Sequence, residues 1–108
     1  MTAADVRLAL VTGPGEDLRR LGRRVVNERL AACVNVLDGV TSLYRWEGAV
    51  ERASESLALV KTTAEREDAL RERVLALHPY DEPEFLTLAV DGGSASYLRW
   101  VAESVSGE

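Results

Sequence analysis

The sequence has few of the residues that build covalent cross-links or metal-held structure. Among its 108 residues it has one cysteine, Cys33, and one histidine, His78. A lone cysteine cannot form a disulfide within the chain, so we expect a reducing compartment, the cytoplasm. A zinc site within one chain needs about four nitrogen or sulfur ligands, and these two residues are too few to provide it.

Positive charge and long apolar runs are also scarce. Thirteen basic and eighteen acidic residues give a net charge of −5, which argues against bulk binding of nucleic acid. The arginines of the first predicted helix have no aromatic residues among them, which is typical of a solvated face. No apolar run approaches the roughly 20 residues that cross a bilayer, and the first residues lack the pattern of a signal peptide. We therefore expect no membrane partner.

The patterns that are present predict strands and helices. Four segments are apolar runs or alternate between apolar and polar residues, and they predict strands at residues 6–11, 32–46 (interrupted at Asp38-Gly39), 50–62 and 85–90. Residues 16–30 have an apolar face at helical spacing. A second helix is predicted to begin at a Thr62/Glu65 capping box and to end by Pro79, and a third to begin after Ser94 as N-cap.

The resulting order is β-α-β-β-α-β-α. Its first six elements match the split βαβ arrangement, a ferredoxin-like α+β sandwich. Right-handed crossovers place both main helices on one face of an antiparallel four-stranded sheet. The third helix is an addition near the rim. We expect residues 1–108 to form a single domain.

The second and third predicted strands form an unusually long hairpin. Each arm is about twice the mean strand length, and the turn is predicted at residues 47–49. The tip carries Tyr44, Trp46 and Val50, which a domain of this size would struggle to cover. Long exposed strand edges are usually paired or blocked, so we expect another chain to cover the hairpin. The alternative is that the hairpin folds back onto its own domain.

Residues 77–84 predict a stiff, ordered loop. They contain His78, two of the three prolines and the carboxylates of Asp81, Glu82 and Glu84. Such a loop can hold polar groups in fixed positions, and those oxygens could ligate a metal. The alternative is a tight turn in which the histidine caps the helix and the acids are solvated.

Lys61 ends an apolar strand, where a lysine either leaves the core or meets an anion. In the predicted topology, Lys61 and His78 lie towards opposite ends of the second helix. The two side chains can share a pocket only if neighbouring protomers interlock, so any composite site is an inter-subunit site. Catalytic constellations are lacking: Cys33 and His78 lie on different elements, and Pro14 removes an amide donor from the Gly13-Pro14-Gly15 loop.

Six short segments, read in order, resemble the CutA divalent-ion tolerance family: ERLAACVN (28–35), SLYRWEG (42–48), KTT (61–63), HPY (78–80), PE (83–84) and YLRW (97–100). The resemblance spans nearly the whole chain. It implies a ferredoxin-like homotrimer whose long hairpins pair between protomers. The family is similar in fold and assembly to the PII nitrogen-signalling proteins, which bind small effectors in clefts between subunits. A non-enzymatic protein is therefore implied.

The resemblance also implies a set of site residues that lines an inter-subunit cleft: Lys61, His78, Tyr80 and Glu84, with Trp46 and Cys33 nearby. The cleft would bind a divalent metal or a small anionic effector. Lys61 would attract the anion, Tyr80 would orient the ligand, and His78 with Glu84 would bind a metal or hydrogen-bond the ligand.

A divalent cation, copper or zinc, is the implied cofactor candidate. The copper ligands described in some members are reduced here to His78, because Val11 and Leu77 occupy the positions of a cysteine and a first histidine. Two alternatives stay open. One is a structural or interaction trimer without a dedicated ligand, and the other is an enzyme that uses His78 as acid–base.

Overall fold

The computed structural model describes residues 5–107 and has four strands and three helices. Their order is β1 (Val6–Gly13), α1 (Gly15–Asn27), β2 (Cys33–Trp46), β3 (Ala49–Thr63), α2 (Ala64–Leu77), β4 (Leu86–Ala89) and α3 (Ala95–Ser104). The β-α-β-β-α-β-α order predicted from the sequence is confirmed.

The strands form one antiparallel sheet in the order β2-β3-β1-β4, the ferredoxin-like arrangement. Alternate residues of β1 and β3, such as Ala9, Val11 and Val60, are completely buried in one core. Leu18 of α1 and Leu70 of α2 belong to the same core, so both helices cover one face of the sheet. The α+β sandwich expected from the sequence is thus the observed fold.

The opposite face of the sheet is apolar and only partly covered. Because side chains alternate along a strand, the residues between the core positions point away from α1 and α2. We call the leucines that share this side the open face: Leu8, Leu10, Leu57, Leu59, Leu86 and Leu88. Leu86 and Leu88 remain 56% and 50% exposed. Helix α3 covers one end of this side, where Val101 and Val105 pack against Val6 and Ala32.

The hairpin of β2 and β3 extends far beyond the rest of the sheet. Strand β1 pairs with β3 only as far as Gly13 opposite Ser56, so the more distal residues of the hairpin pair only with each other. This projection gives the molecule a long axis of 50 Å against 25 and 22 Å in the other directions. At the tip, Leu43 and Val50 are both 68% exposed.

Two local predictions for the hairpin need correction. Asp38-Gly39 does not interrupt β2 but forms a β-bulge between Leu37 and Val40, with Gly39 at φ 81°. The turn has two residues rather than three, because Ala49 already pairs with Trp46. Glu47 at φ 49° and Gly48 at φ 84° both have the positive φ of a two-residue type I′ turn, which matches the twist of the strands.

The helix boundaries also differ in detail from those predicted. Helix α1 ends at Asn27, and Arg29 turns the chain with a positive φ of 61°. The predicted Thr62/Glu65 capping box is wrong. Thr62 lies buried in β3 and its hydroxyl donates to the Leu30 carbonyl oxygen at 2.8 Å. Ser94 is the N-cap of α3, as predicted, and accepts a hydrogen bond from the Tyr97 amide.

Within residues 5–107, the helices are too short or too polar to cross a membrane.

Candidate functional site

A cleft of about 780 Å³ lies where the hairpin extends past the end of β1 and the loop after α2 passes beside it. One wall is the distal part of β2 together with Glu55 of β3, and the other is the loop. The lining residues are Thr12, Ser42, Leu43, Tyr44, Arg45, Trp46, Glu55, Tyr80, Asp81, Glu82, Pro83 and Glu84. The cleft thus brings together Trp46, Tyr80 and Glu84 of the predicted site.

His78 anchors the loop from beneath the cleft and is 7% exposed. Its Nδ1 accepts a hydrogen bond from the Tyr80 amide at 3.1 Å. Nδ1 therefore carries no proton, and Nε2 donates to the Thr12 carbonyl oxygen at 2.7 Å. A neutral imidazole with one tautomer satisfies both contacts. His78 thereby ties the residue after Pro79 to the end of β1 and holds the loop in place.

Tyr80 connects the loop to the hairpin. Its hydroxyl donates to Glu55 Oε2 at 2.7 Å, and its ring meets the His78 ring edge-on with centroids 4.7 Å apart. Burial and then the hydrogen bond to Glu55 raise the pKa of Tyr80 to about 12. At neutral pH the phenol stays protonated and donates to the carboxylate, so the two walls of the cleft are joined across 25 residues of chain.

Glu84 lines the cleft at the end of the loop before β4. Its Oε1 accepts a hydrogen bond from the Thr12 hydroxyl at 3.1 Å. Thr12 thus contacts the loop twice, through its carbonyl oxygen to His78 and through its hydroxyl to Glu84. The end of β1 thus holds the Glu84 carboxylate through the Thr12 hydroxyl.

The charge of the cleft is predominantly negative. Four of its lining side chains are carboxylates, Glu55, Asp81, Glu82 and Glu84, whereas Arg45 is the single cation among them. Three aromatic rings, Tyr44, Trp46 and Tyr80, line the same space and are each 40–47% exposed. The site combines carboxylates with aromatic faces.

Lys61 lies elsewhere on the sheet. It pairs with Leu8, four residues along β1 from Thr12, which corresponds to roughly 13 Å at the usual rise of a strand. Its ammonium donates to the Asn35 side-chain oxygen and lies 4.0 Å from Cys33 Sγ. The prediction that Lys61 and His78 lie apart within one chain is confirmed. Lys61 and Cys33 form a second polar group, at the margin of the open face.

A metal site is not formed by one chain within residues 5–107, where no three His, Cys, Asp or Glu side chains converge. Binding of a metal by His78 would require Nδ1 to release the Tyr80 amide or Nε2 to release the Thr12 carbonyl. Glu84 is accessible from the cleft. Copper or zinc binding by His78 and Glu84 therefore stays a prediction.

Sequence reasoning missed Glu55 and Thr12. Both are ordinary strand residues, and their contacts join positions 25 and 72 residues apart in the chain. One signal was present in the sequence: Glu55 lies two residues before Leu57 and shares its side of β3. Period-2 alternation could have assigned Glu55 to the side of the sheet turned away from the helices.

The four-stranded sheet, the projecting hairpin and the cleft beside it define the class of PII-like CutA folds. One solved structure of that class, the PII-like protein CutA from Nostoc in its apo form, is 33% identical with a TM-score of 0.86, covering 92% of this chain and 96% of the other. CutA1 from Oryza sativa is 39% identical with a TM-score of 0.94, covering all of both chains.

The family model "CutA1 divalent ion tolerance protein" matches residues 7–104. The divalent-cation tolerance protein CutA of Thermus thermophilus is 47% identical over 98 residues, which are 90% of this chain and 95% of the relative. The chain belongs to the CutA1 divalent ion tolerance family. It spans only 54% of the chloroplastic rice relative and 59% of the mouse relative.

Proposed function

We propose that this protein is a cytoplasmic homotrimer that carries out no catalysis and binds a divalent cation or a small charged effector in clefts between its subunits. Three copies are what the resemblance to the CutA family implies. A cytoplasmic location agrees with the single cysteine, Cys33. Residues 1–108 would act as one domain in each subunit.

The open face is the observation that carries the assembly. Leu86 and Leu88 are half exposed and lie beside Leu8 and Leu10 on one side of the sheet. Burial of a leucine side chain stabilises by about 1.5–3 kcal/mol, so a contiguous group of them gives a strong drive to associate. The exposed hairpin tip at Leu43 and Val50 supports the same conclusion, since a neighbour can cover it.

The assembly would also complete the binding site. Tyr44 and Trp46 line the cleft and are about half exposed, and a neighbouring subunit that covers the hairpin would cover this side of the cleft. Lys61 lies roughly 13 Å along the sheet from Thr12, which lines the cleft. Only a neighbour's Lys61 could therefore approach the cleft. The full predicted set of Lys61, His78, Tyr80, Trp46 and Glu84 is thus proposed to come from two chains.

The bonding of His78 argues against a catalytic role for it within one chain. A general base needs a free nitrogen within reach of substrate, whereas both ring nitrogens of His78 hold the loop. Cys33 contacts Asn35 and Lys61 on β2 and β3, and His78 lies on another element. The side chains that line the cleft can position and neutralise a ligand.

Light scattering and calorimetry test this function together. We expect a mass of three times the 11.8 kDa chain. We also expect saturable binding of Zn²⁺, Cu²⁺ or a small charged organic ligand, weakened by Glu84→Gln and unchanged by Glu103→Gln on α3. A trimer that binds none of them would favour a purely structural assembly, and a monomer would contradict the proposal.

A further inference from the structure

We propose that the cleft between the hairpin and the residue 79–84 loop selects an organic cation, a ligand with an alkylated ammonium group. The inference rests on the proposed function, because it takes the same cleft to be a ligand site and names the ligand's chemical class. It is carried by the chemistry of the cleft walls, which combine aromatic rings with carboxylates.

Aromatic rings are concentrated in the cleft. The whole chain has six residues of Phe, Trp and Tyr, and three of them, Tyr44, Trp46 and Tyr80, line this one cleft. All three are 40–47% exposed, so their faces can reach a ligand. The π face of an aromatic ring attracts an ammonium group, most strongly in tryptophan. The rings therefore favour a cation with apolar substituents.

The sign of the charge in the cleft favours a cation. The side chains of Asp81 and Glu82 make no hydrogen bond or ion pair within residues 5–107, and both are exposed residues of the cleft lining. Glu55 and Glu84 accept hydrogen bonds from Tyr80 and Thr12. A cleft lined mainly by one sign of charge concentrates ligands of the opposite sign. A small anion would meet these carboxylates unfavourably.

The arrangement of the cleft side chains favours an organic cation over a metal ion. A metal needs several ligand atoms that converge, and no three His, Cys, Asp or Glu side chains do so in the part of the chain that the structure describes. An alkylammonium group needs no convergence, because it is attracted by ring faces and by carboxylates at longer range. The volume of about 780 Å³ is within the range of small-molecule sites.

The probe is choline, compared with its neutral carbon isostere in which a tert-butyl group replaces the trimethylammonium group. Both are titrated into the wild-type protein by calorimetry at matched ionic strength. Succinate is titrated in the same way as the anionic comparison ligand. We expect saturable binding of choline, binding of the isostere at least about tenfold weaker, and no binding of succinate, because the isostere keeps the shape and loses the charge.

Two substitutions locate the binding. Trp46→Leu removes the ring and should weaken choline binding about tenfold, whereas Trp100→Leu on α3, a tryptophan of similar exposure, should leave it unchanged. Glu82→Gln, on the exposed loop, should weaken choline binding about threefold without affecting folding. Glu103→Gln should leave choline binding unchanged. Equal affinity for the isostere, stronger binding of succinate, absence of choline binding, or no change in Trp46→Leu and Glu82→Gln would each overturn the inference.

The mass of each sample, measured by light scattering, separates this inference from the proposed function. A trimer that does not bind choline overturns the inference alone, and the aromatic rings then serve the contact between copies. A monomer that binds choline with the expected selectivity supports the inference and contradicts the assembly.

Discussion

The imidazole of His78 lies directly against the backbone of Gly13. A Cβ atom at Gly13 would come within 2.8 Å of His78 Nε2, closer than real Cβ atoms approach, and within 3.0 Å of Cε1. The glycine at the end of β1 is therefore what allows the histidine to reach the Thr12 carbonyl oxygen and fix the loop.

Gly13→Ala should accordingly destabilise the protein. The added methyl group must displace the ring of His78, which is buried and bonded through both nitrogens, and overpacking of this kind costs about 1–3 kcal/mol. Chemical denaturation measures the change. Gly92→Ala is the matched control, because no atom lies within 4 Å of the position of its Cβ, and a change below about 0.5 kcal/mol is expected there. Equal losses in both variants would contradict this packing.

The pKa of Tyr80 should make the stability sensitive to alkaline pH. Its pKa is raised by burial and then by the hydrogen bond to Glu55, from the ordinary 10.0 to about 12 in the folded protein. A group whose pKa is raised on folding contributes stability that is fully present below the unfolded pKa and is lost as pH rises through the folded pKa. We therefore expect part of the stability to be lost between pH 10 and 12.

Denaturation curves of wild type and Tyr80→Phe across that pH window test this loss. The variant lacks the titrating hydroxyl, so its stability should fall less steeply with pH than that of wild type. Tyr97→Phe, which changes a tyrosine of similar exposure on α3, should keep the wild-type slope. Identical slopes in wild type and Tyr80→Phe would show that the hydroxyl of Tyr80 does not contribute to the pH dependence.

Glu47→Asn should stabilise the hairpin. Glu47 has a φ of 49°, a conformation that asparagine tolerates better than glutamate, and Gly48 follows it in the type I′ turn. The gain should be on the order of 0.5 kcal/mol in thermal or chemical unfolding. Glu51→Asn, at a strand position of the same hairpin, is the control and should give no gain. Destabilisation by Glu47→Asn would contradict the turn geometry.

The sequence predicted the fold well because each element carries its own local pattern. The alternation in β1, the apolar face of α1 and the Ser94 cap are local signals, and the structure confirms them. The predicted Thr62/Glu65 capping box is wrong because of a tertiary contact. Thr62 is buried in β3 and its hydroxyl is used by the Leu30 carbonyl oxygen, a partner 32 residues away that no local pattern reveals.

The site could be predicted only in part. Trp46, Tyr80 and Glu84 do line one cleft, and the topology correctly placed Lys61 away from His78. The sequence could not show that both nitrogens of His78 are used within the chain, since that depends on how the residue 79–84 loop packs against β1. Histidine is a common metal ligand, but both ring nitrogens of His78 make hydrogen bonds that hold the loop against β1.

The central claim is that copies of this chain associate through the open face. Leu88 of β4 is half exposed there, so Leu88→Glu should leave each subunit folded while it places an unpaired carboxylate in the contact between copies, at a cost of several kcal/mol. Leu75→Glu is the matched control, because Leu75 is 46% exposed on α2, on the helix side of the sheet.

Light scattering at micromolar concentration is the measurement that tests this claim most directly. We predict a mass of three chains for wild type and for Leu75→Glu, and a folded monomer for Leu88→Glu. A wild-type monomer, or a Leu88→Glu variant that keeps the mass of three chains, would contradict it.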